Sequence, residues 1–290
     1  MTDKSLWKVK RKTMNKMHVA KMHARVNIKK GIKIIAALVS NVIPASQEDQ
    51  DRVHVLMYHR VNSYRKDELS VPPDRFRKQV EWLHMHGFRN TRMAELESGS
   101  MFTGNNGPRV IFTFDDGYED NYTDAYPILR EYGYTAILYL PFDYIGTGKI
   151  HPRDTWESGT PEHNRLLNWN QVEEMLKDEM EIGSHTMGHV NLTRMSPGQA
   201  RREIVESKHM LEQKLQMEIT SFCYPGGYFG KKHAHWVQEA GYRSACTTTP
   251  QVWQGHDLFM IPRVPVLSSD IFYVFEKRML GRMKWFRMIH

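Results

Sequence analysis

The chain has 290 residues, of which 40% are hydrophobic, 25% charged and 11% aromatic; this is enough apolar material for a sizeable core and excludes the disordered and fibrous classes. Its two cysteines, Cys223 and Cys246, exclude a zinc ribbon or a disulfide scaffold and read as buried thiols, with one bridge as the alternative. The net charge of +7 gathers at the start: residues 1–50 carry 11 basic and 3 acidic side chains, a balance of +8, whereas residues 51–290 carry 29 against 30 and offer no basic face for nucleic acid.

In residues 1–50, the charges from Lys4 to Lys33 are spread among Met, Val, Ala and Ile, ahead of an apolar stretch from Ile34 to Val39 that extends weakly to Pro44. A bilayer span needs about 20 apolar residues, so this stretch is too short to cross. Cleavable export is the less favoured reading, because the basic start is long and Ile43 stands two places before Ala45, where a small residue is needed. The leader therefore reads as a basic amphipathic segment on an anionic cytoplasmic membrane face, or as a solvated arm. Residues 276–290 repeat the mixture, with Lys277, Arg278, Arg282, Lys284 and Arg287 among Met279, Leu280, Trp285, Phe286 and Ile289. Two such ends favour a cytoplasmic enzyme held peripherally at the membrane.

Residues 51–275 have a different character, with short β-rich apolar runs separated by helical or loop stretches. The expected strands are Val53 to Tyr58, Val110 to Phe114, Ala136 to Leu140, Met180 to Gly183, Ser221 to Tyr224, Arg243 to Thr247 and Ile261 to Val266. Between them, Asp74 to His86 predicts a helix with Phe76, Val80, Leu83 and His84 on one face; Asn168 caps a helix through Leu176, and Ser196 starts a long one reaching Leu215. This alternation predicts an α/β fold of parallel strands with helical crossovers. Seven strands can close into a barrel, whose chemistry would gather at the carboxyl ends of the strands.

Four polar clusters fall at those ends. Asp115-Asp116-Gly117 follows the second strand; one carboxylate can hold a cation while its neighbour stays free as a base, although Asp-Asp-Gly alone is a common turn. His185-Thr186-Met187-Gly188-His189 follows the fourth strand, with two imidazoles four residues apart, a spacing that lets a helical turn aim both at one ion. Two histidines and one carboxylate leave open positions for water and substrate, as a hydrolytic metal requires. Phe222 to Tyr228 runs into a Pro-Gly turn that can present a backbone N–H to an oxyanion. His59, after the first strand, stands where a general acid could act, although a lone histidine there is more often structural.

In that order, with about 70 residues between the Thr113-Phe114-Asp115-Asp116-Gly117 and His185-Thr186-Met187-Gly188-His189 motifs, the segments resemble the polysaccharide deacetylases of the NodB homology group (carbohydrate esterase family 4). The early Tyr58-His59 and the Phe222–Gly227 segment are similar to the permuted branch that includes the poly-N-acetylglucosamine deacetylases. The resemblance implies a distorted (β/α)7 barrel and a divalent ion, zinc or else cobalt or nickel, held by Asp116, His185 and His189. It further implies Asp115 as the base, His59 as the acid, the Gly226 N–H as an oxyanion donor, and Arg263 as a catalytic arginine that orients Asp115. Many members carry Arg-x-Pro where this chain has Phe222 to Gly227, and no late Leu-x-x-His motif is evident. The implied reaction is removal of an N-acetyl group from an amino sugar in a polysaccharide or glycan precursor. An O-acetyl ester, another amide, or a silent glycan-binding barrel are the alternatives. Tyr118 and Trp169 could stack on a sugar ring, Trp169 reading better as a structural anchor.

Overall fold

The computed structural model describes residues 53–100, 107–156, 161–253, 255 and 257–281. Seven strands are parallel and close on themselves: β1 (Val53–Tyr58), β2 (Arg109–Asp115), β3 (Ala136–Leu140), β4 (Glu181–Ser184), β5 (Ser221–Cys223), β6 (Ser244–Pro250) and β7 (Ile261–Pro265). Neighbours follow chain order from β2 to β7, and β1 closes the ring by pairing with both β2 and β7. The expected seven-stranded (β/α) barrel is what the chain forms, each expected run yielding one strand within a few residues of its predicted ends. A two-residue strand at Arg89–Asn90 extends this sheet beside β2, and Arg60–Val61 pairs with Ser70–Val71 in a separate two-stranded sheet.

β1 and β3 read as almost unbroken apolar runs because both of their faces are covered, while the other strands mix apolar residues with small or polar ones that are mostly buried as well. One face packs Leu56, Tyr58, Phe112, Phe114, Leu138, Ile182, Phe222 and Val264 into a core shared with the surrounding helices. The alternate residues fill the barrel. At its amino-terminal end lie Val53, Val55, Ile111, Ile137 and Ile261, with Met93 and Leu96 from the short helix Met93–Ser98 and with Trp253. Glu181 holds that helix in place, its carboxylate accepting from the N–H groups of Met93 (2.7 Å) and Ala94 (2.9 Å). Higher up, the Tyr139 ring crosses the barrel against Gly183, where a Cβ would meet the ring at 2.4 Å, so only glycine fits there.

The helices follow their predicted signals with one correction. The first, α1 (Pro73–Met85), buries Phe76, Gln79, Val80, Trp82 and Leu83, while His84 is exposed. Gln79 is drawn inward by the Tyr58 hydroxyl, which donates to its Oε1 at 3.0 Å, so the buried stripe is centred there and His84 falls at its edge against Tyr132. Asn168 and Ser196 cap the helices Trp169–Lys177 and Pro197–Leu215 through capping boxes. The last described helix, Phe272–Met279, carries the packed body past residue 275: Phe275 and Met279 are buried, and Arg278 pairs with Asp270 at 2.7 Å. Arg278 is thus engaged within the body, whereas the leader 1–50 and residues 282–290 lie outside the described residues. Cys223 and Cys246 are register partners on β5 and β6; both are buried and free. Among the described residues, no helix is long and apolar enough to cross a membrane.

Candidate active site and metal centre

Alternation along β2 turns Thr113 and Asp115 into the barrel, and alternation along β7, past a register shift between Ile261 and Arg263, turns Arg263 towards them. The Arg263 guanidinium is fully buried. It donates from Nη1 to Asp115 Oδ1 (2.6 Å) and Thr113 Oγ1 (2.9 Å), from Nη2 to Asp115 Oδ2 (2.7 Å) and Cys223 Sγ (3.1 Å), and from Nε to the Thr247 carbonyl (2.9 Å). A planar fork on a carboxylate is the strongest of the ordinary ion-pair geometries. Burial alone would raise the pKa of Asp115, but the facing Arg263 charge overrides it and holds the carboxyl below its usual range. Burial raises the Cys223 thiol well above its usual value and keeps it neutral. His59, immediately after β1, puts Nε2 3.9 Å from Asp115 Oδ2 with 15% of its side chain exposed. Burial lowers its pKa against the opposing pull of Asp116 and Asp115.

Asp116 takes a left-handed backbone (φ 75°), which sends its side chain away from that of Asp115 and into a ring of imidazoles. From Asp116 Oδ1, the Nε2 atoms lie at 3.2 Å for His189, 3.5 Å for His185 and 3.7 Å for His151. None of these contacts has hydrogen-bond geometry: Asp116 Oδ1 and His151 Nε2 are both buried with no hydrogen-bond partner. Burial would raise Asp116, yet the imidazoles of His151 and His189 hold it well below the carboxylate range. Burial pushes His151 down to about 4. His189 goes the other way, since the pull of Asp116 outweighs its burial. At His185, Nδ1 lies 2.8 Å from the Cys223 carbonyl; the hydrogen that bond needs sits on Nδ1 and leaves the Nε2 lone pair directed at Asp116. A buried carboxylate oxygen without a donor, ringed by imidazole nitrogens, is the donor set of a borderline divalent ion such as zinc, cobalt or nickel. The residues present fit such an ion.

The turn carrying His185 and His189 corrects one expectation. It is not helical, since Thr186 (φ 66°) and His189 (φ 51°) are left-handed. Glu203, on the helix Pro197–Leu215, holds it, its Oε2 accepting from the N–H groups of Met187 (3.0 Å) and Gly188 (3.1 Å).

The structure thus brings Asp115, Asp116, His59, His185, His189 and Arg263 to the carboxyl end of the barrel. Gly226 is at the same end, in the turn Pro225–Gly227 after β5, with φ 60° and no room for a Cβ beside the Tyr228 ring. Tyr118 is not free to stack on a sugar: it is buried beneath Arg60, whose guanidinium sits 4.1 Å from its ring centre. Trp169 packs on Gly146 and Phe142 as an anchor. Two residues that sequence reasoning missed are His151, from the irregular segment after β3, and Glu203. The only sequence signal for His151 is a histidine between the two metal motifs, which carries no spacing rule.

The family model for "polysaccharide deacetylase" matches residues 103–245. The chain is 31% identical over 206 residues to the Bacillus subtilis protein YxkH, which carries a provisional polysaccharide deacetylase name, the match covering 70% of this chain and 67% of that one. It is 24% identical to the poly-beta-1,6-N-acetyl-D-glucosamine N-deacetylase of Staphylococcus epidermidis, over 78% of this chain and 82% of the relative. Among solved structures, the Streptococcus pyogenes deacetylase PplD, determined with acetate, has the same fold, with a TM-score of 0.66 at 23% identity over 80% of this chain and 99% of that one.

Proposed function

The chain belongs to the polysaccharide deacetylase family, and on that premise we propose that it hydrolyses the N-acetyl group of an amino sugar within a glycan, using one divalent ion held by Asp116, His185 and His189. The observation that carries this reading is the meeting, at one barrel mouth, of an ionised base already oriented by an arginine with an unsatisfied carboxylate ringed by imidazoles. When bound, the ion supplies a Lewis acid for the amide carbonyl and acidifies water. Asp115, locked by Arg263, accepts the proton of the attacking water. His59, whose Nε2 lies 3.9 Å from that carboxylate, delivers a proton to the departing amine. The Gly226 N–H donates to the oxygen on which charge develops. The polymer named for the Staphylococcus epidermidis relative, poly-beta-1,6-N-acetyl-D-glucosamine, is the substrate class to try first.

The 290-residue chain, loaded with zinc or cobalt, should release acetate and expose free amines from N-acetylglucosamine oligomers, lose this on chelation and regain it when the ion returns. Release from an O-acetylated glycan alone would make it an esterase, and sugar binding without turnover would make it a silent barrel.

The leader's +8 charge and short apolar run are the reason to place the enzyme at the inner membrane face. Each basic residue near an anionic surface contributes about 1 kcal/mol, which salt weakens, whereas apolar burial persists. Anionic liposomes should therefore bind the full chain strongly at low salt and partly at high salt, and should lose it when residues 1–50 are deleted. A mature chain beginning near Ser46 would return the leader to an export signal.

A further inference from the structure

His151 is fully buried, yet its Nε2 makes no hydrogen bond and points at an equally unsatisfied Asp116 oxygen. A buried polar atom without a partner calls for an explanation, and two that face each other are a pair that a cation between them would satisfy. We propose that His151 is a fourth protein ligand of the metal centre, a reading that rests on the divalent ion proposed above.

Separations support it. At metal bonds of 2.0–2.1 Å, tetrahedral ligand atoms stand about 3.3 Å apart. The three Nε2 atoms lie 3.2, 3.5 and 3.7 Å from Asp116 Oδ1, so His151 approaches that oxygen over the same range as His185 and His189. The ligand atoms of Asp116, His151 and His189 all fall within 4.8 Å of one another.

The segment presenting His151 is built to hold it. Asp154 N–H donates to the His151 carbonyl (2.9 Å), and the Asp154 carboxylate is buried against Arg65 (2.7 Å). Arg65 in turn binds Asp67 (2.9 Å) and Asn164, tying together three chain segments around this turn. The rings of Tyr118, Tyr144 and His189 enclose the imidazole. The Arg153 N–H reaches Nδ1 at 3.4 Å, a long contact that places the ring hydrogen on Nε2 without an ion. Ligation through Nε2 moves that hydrogen to Nδ1 and gives the Arg153 contact up. Four protein ligands close a tetrahedral ion. Water and substrate would then enter by expanding that shell, as catalytic zinc does in reaching five ligands.

The test uses the full chain and Co(II) alone. X-ray absorption of the wild type should count three imidazoles on the ion; a count of two overturns the proposal without needing a variant. In chelator competition, His151→Gln should bind Co(II) more weakly by about 100-fold or more, beyond the 10–100-fold typical of a group that only supports a ligand, with a changed visible spectrum. His151→Phe, which keeps the packing, should do the same, and both should match the wild type in thermal unfolding under chelator. Affinity within threefold of the wild type with an unchanged spectrum makes His151 a lining residue only. Wild type that takes up no Co(II) fails the metal reading itself, a separate outcome from retention of Co(II) by His151 variants and its loss from His185→Ala.

Discussion

Asp115 and Asp116 are neighbours in the chain, and the two halves of the site they head are opposites. Around Asp115, both carboxylate oxygens are engaged: Arg263 forks onto them, and Thr113, Cys223 and the Thr247 carbonyl take up the rest of the guanidinium. Around Asp116, three imidazoles approach one oxygen and leave it unsatisfied. The first half satisfies its own carboxylate, whereas the second leaves an oxygen that the proposed cation would satisfy. A buried ion pair with its donors matched holds its carboxylate in place, and a buried carboxylate oxygen lacking a donor is open to a ligand.

The largest expected effect comes from breaking the completed half. Arg263→Met leaves Asp115 charged and buried without a counter-ion, a change that costs about 3–5 kcal/mol and should appear as a lower urea midpoint even under chelator. If metal-free Arg263→Met were as stable as the wild type, Asp115 would not be the matched half of the site. His189→Ala should behave oppositely. Its metal-free stability should change by less than about 1 kcal/mol, whereas the stabilisation that excess ion gives the wild type, about 4 kcal/mol at a thousand times Kd, and the deacetylase activity should both vanish. Full metal occupancy in His189→Ala would dissolve the contrast.

This difference between the halves also explains what could be read from sequence. Strands such as β1 and β3 were legible because a parallel strand covered on both faces is an apolar run; the remaining expected runs in residues 53–266 are shorter or more polar, and each still became one strand. Asp115, Asp116, His185 and His189 were legible because each pair is local. His151 was not, because the irregular segment after β3 has no periodicity, and contacts distant in the chain, those of Arg65 with Asp154 among them, bring it to Asp116. The turn between His185 and His189 was misread because a four-residue spacing suits a helical turn and a left-handed one alike; Glu203, far along the chain, decides between them. Tyr118 was misplaced because an aromatic next to a motif looks the same in sequence whether it lines a cleft or lies under a buried arginine.

Exchanging one carboxylate at a time sharpens the contrast within activity. Asp115→Asn keeps shape and one of the two hydrogen bonds from Arg263 but cannot take a proton, so turnover should fall on the order of 100-fold or more with the ion retained. Asp116→Asn should lose the ion along with turnover. Metal analysis and single-turnover rates on both variants check this; an active Asp115→Asn together with a metal-replete Asp116→Asn would exchange the two roles or remove them.

The smallest expected effect belongs to His59, which stands between the halves, 3.9 Å from Asp115 and outside the imidazole ring around Asp116. An acid for the leaving amine acts on the substrate and not on the ion, so His59→Ala should keep full metal occupancy while turnover falls about 100-fold, the lower end for a proton-transfer group. The pH profile separates this from a packing loss. Burial lowers the pKa of His59, with Asp116 and Asp115 opposing it only in part, so the proton it must donate is held at low pH and lost as pH rises through a value below that of an ordinary imidazole. Wild-type activity should accordingly have an alkaline limb displaced towards acid, and the limb should disappear in His59→Ala. If the variant instead keeps the same limb at reduced height, His59 is packing the barrel mouth, and the proton for the amine comes from elsewhere.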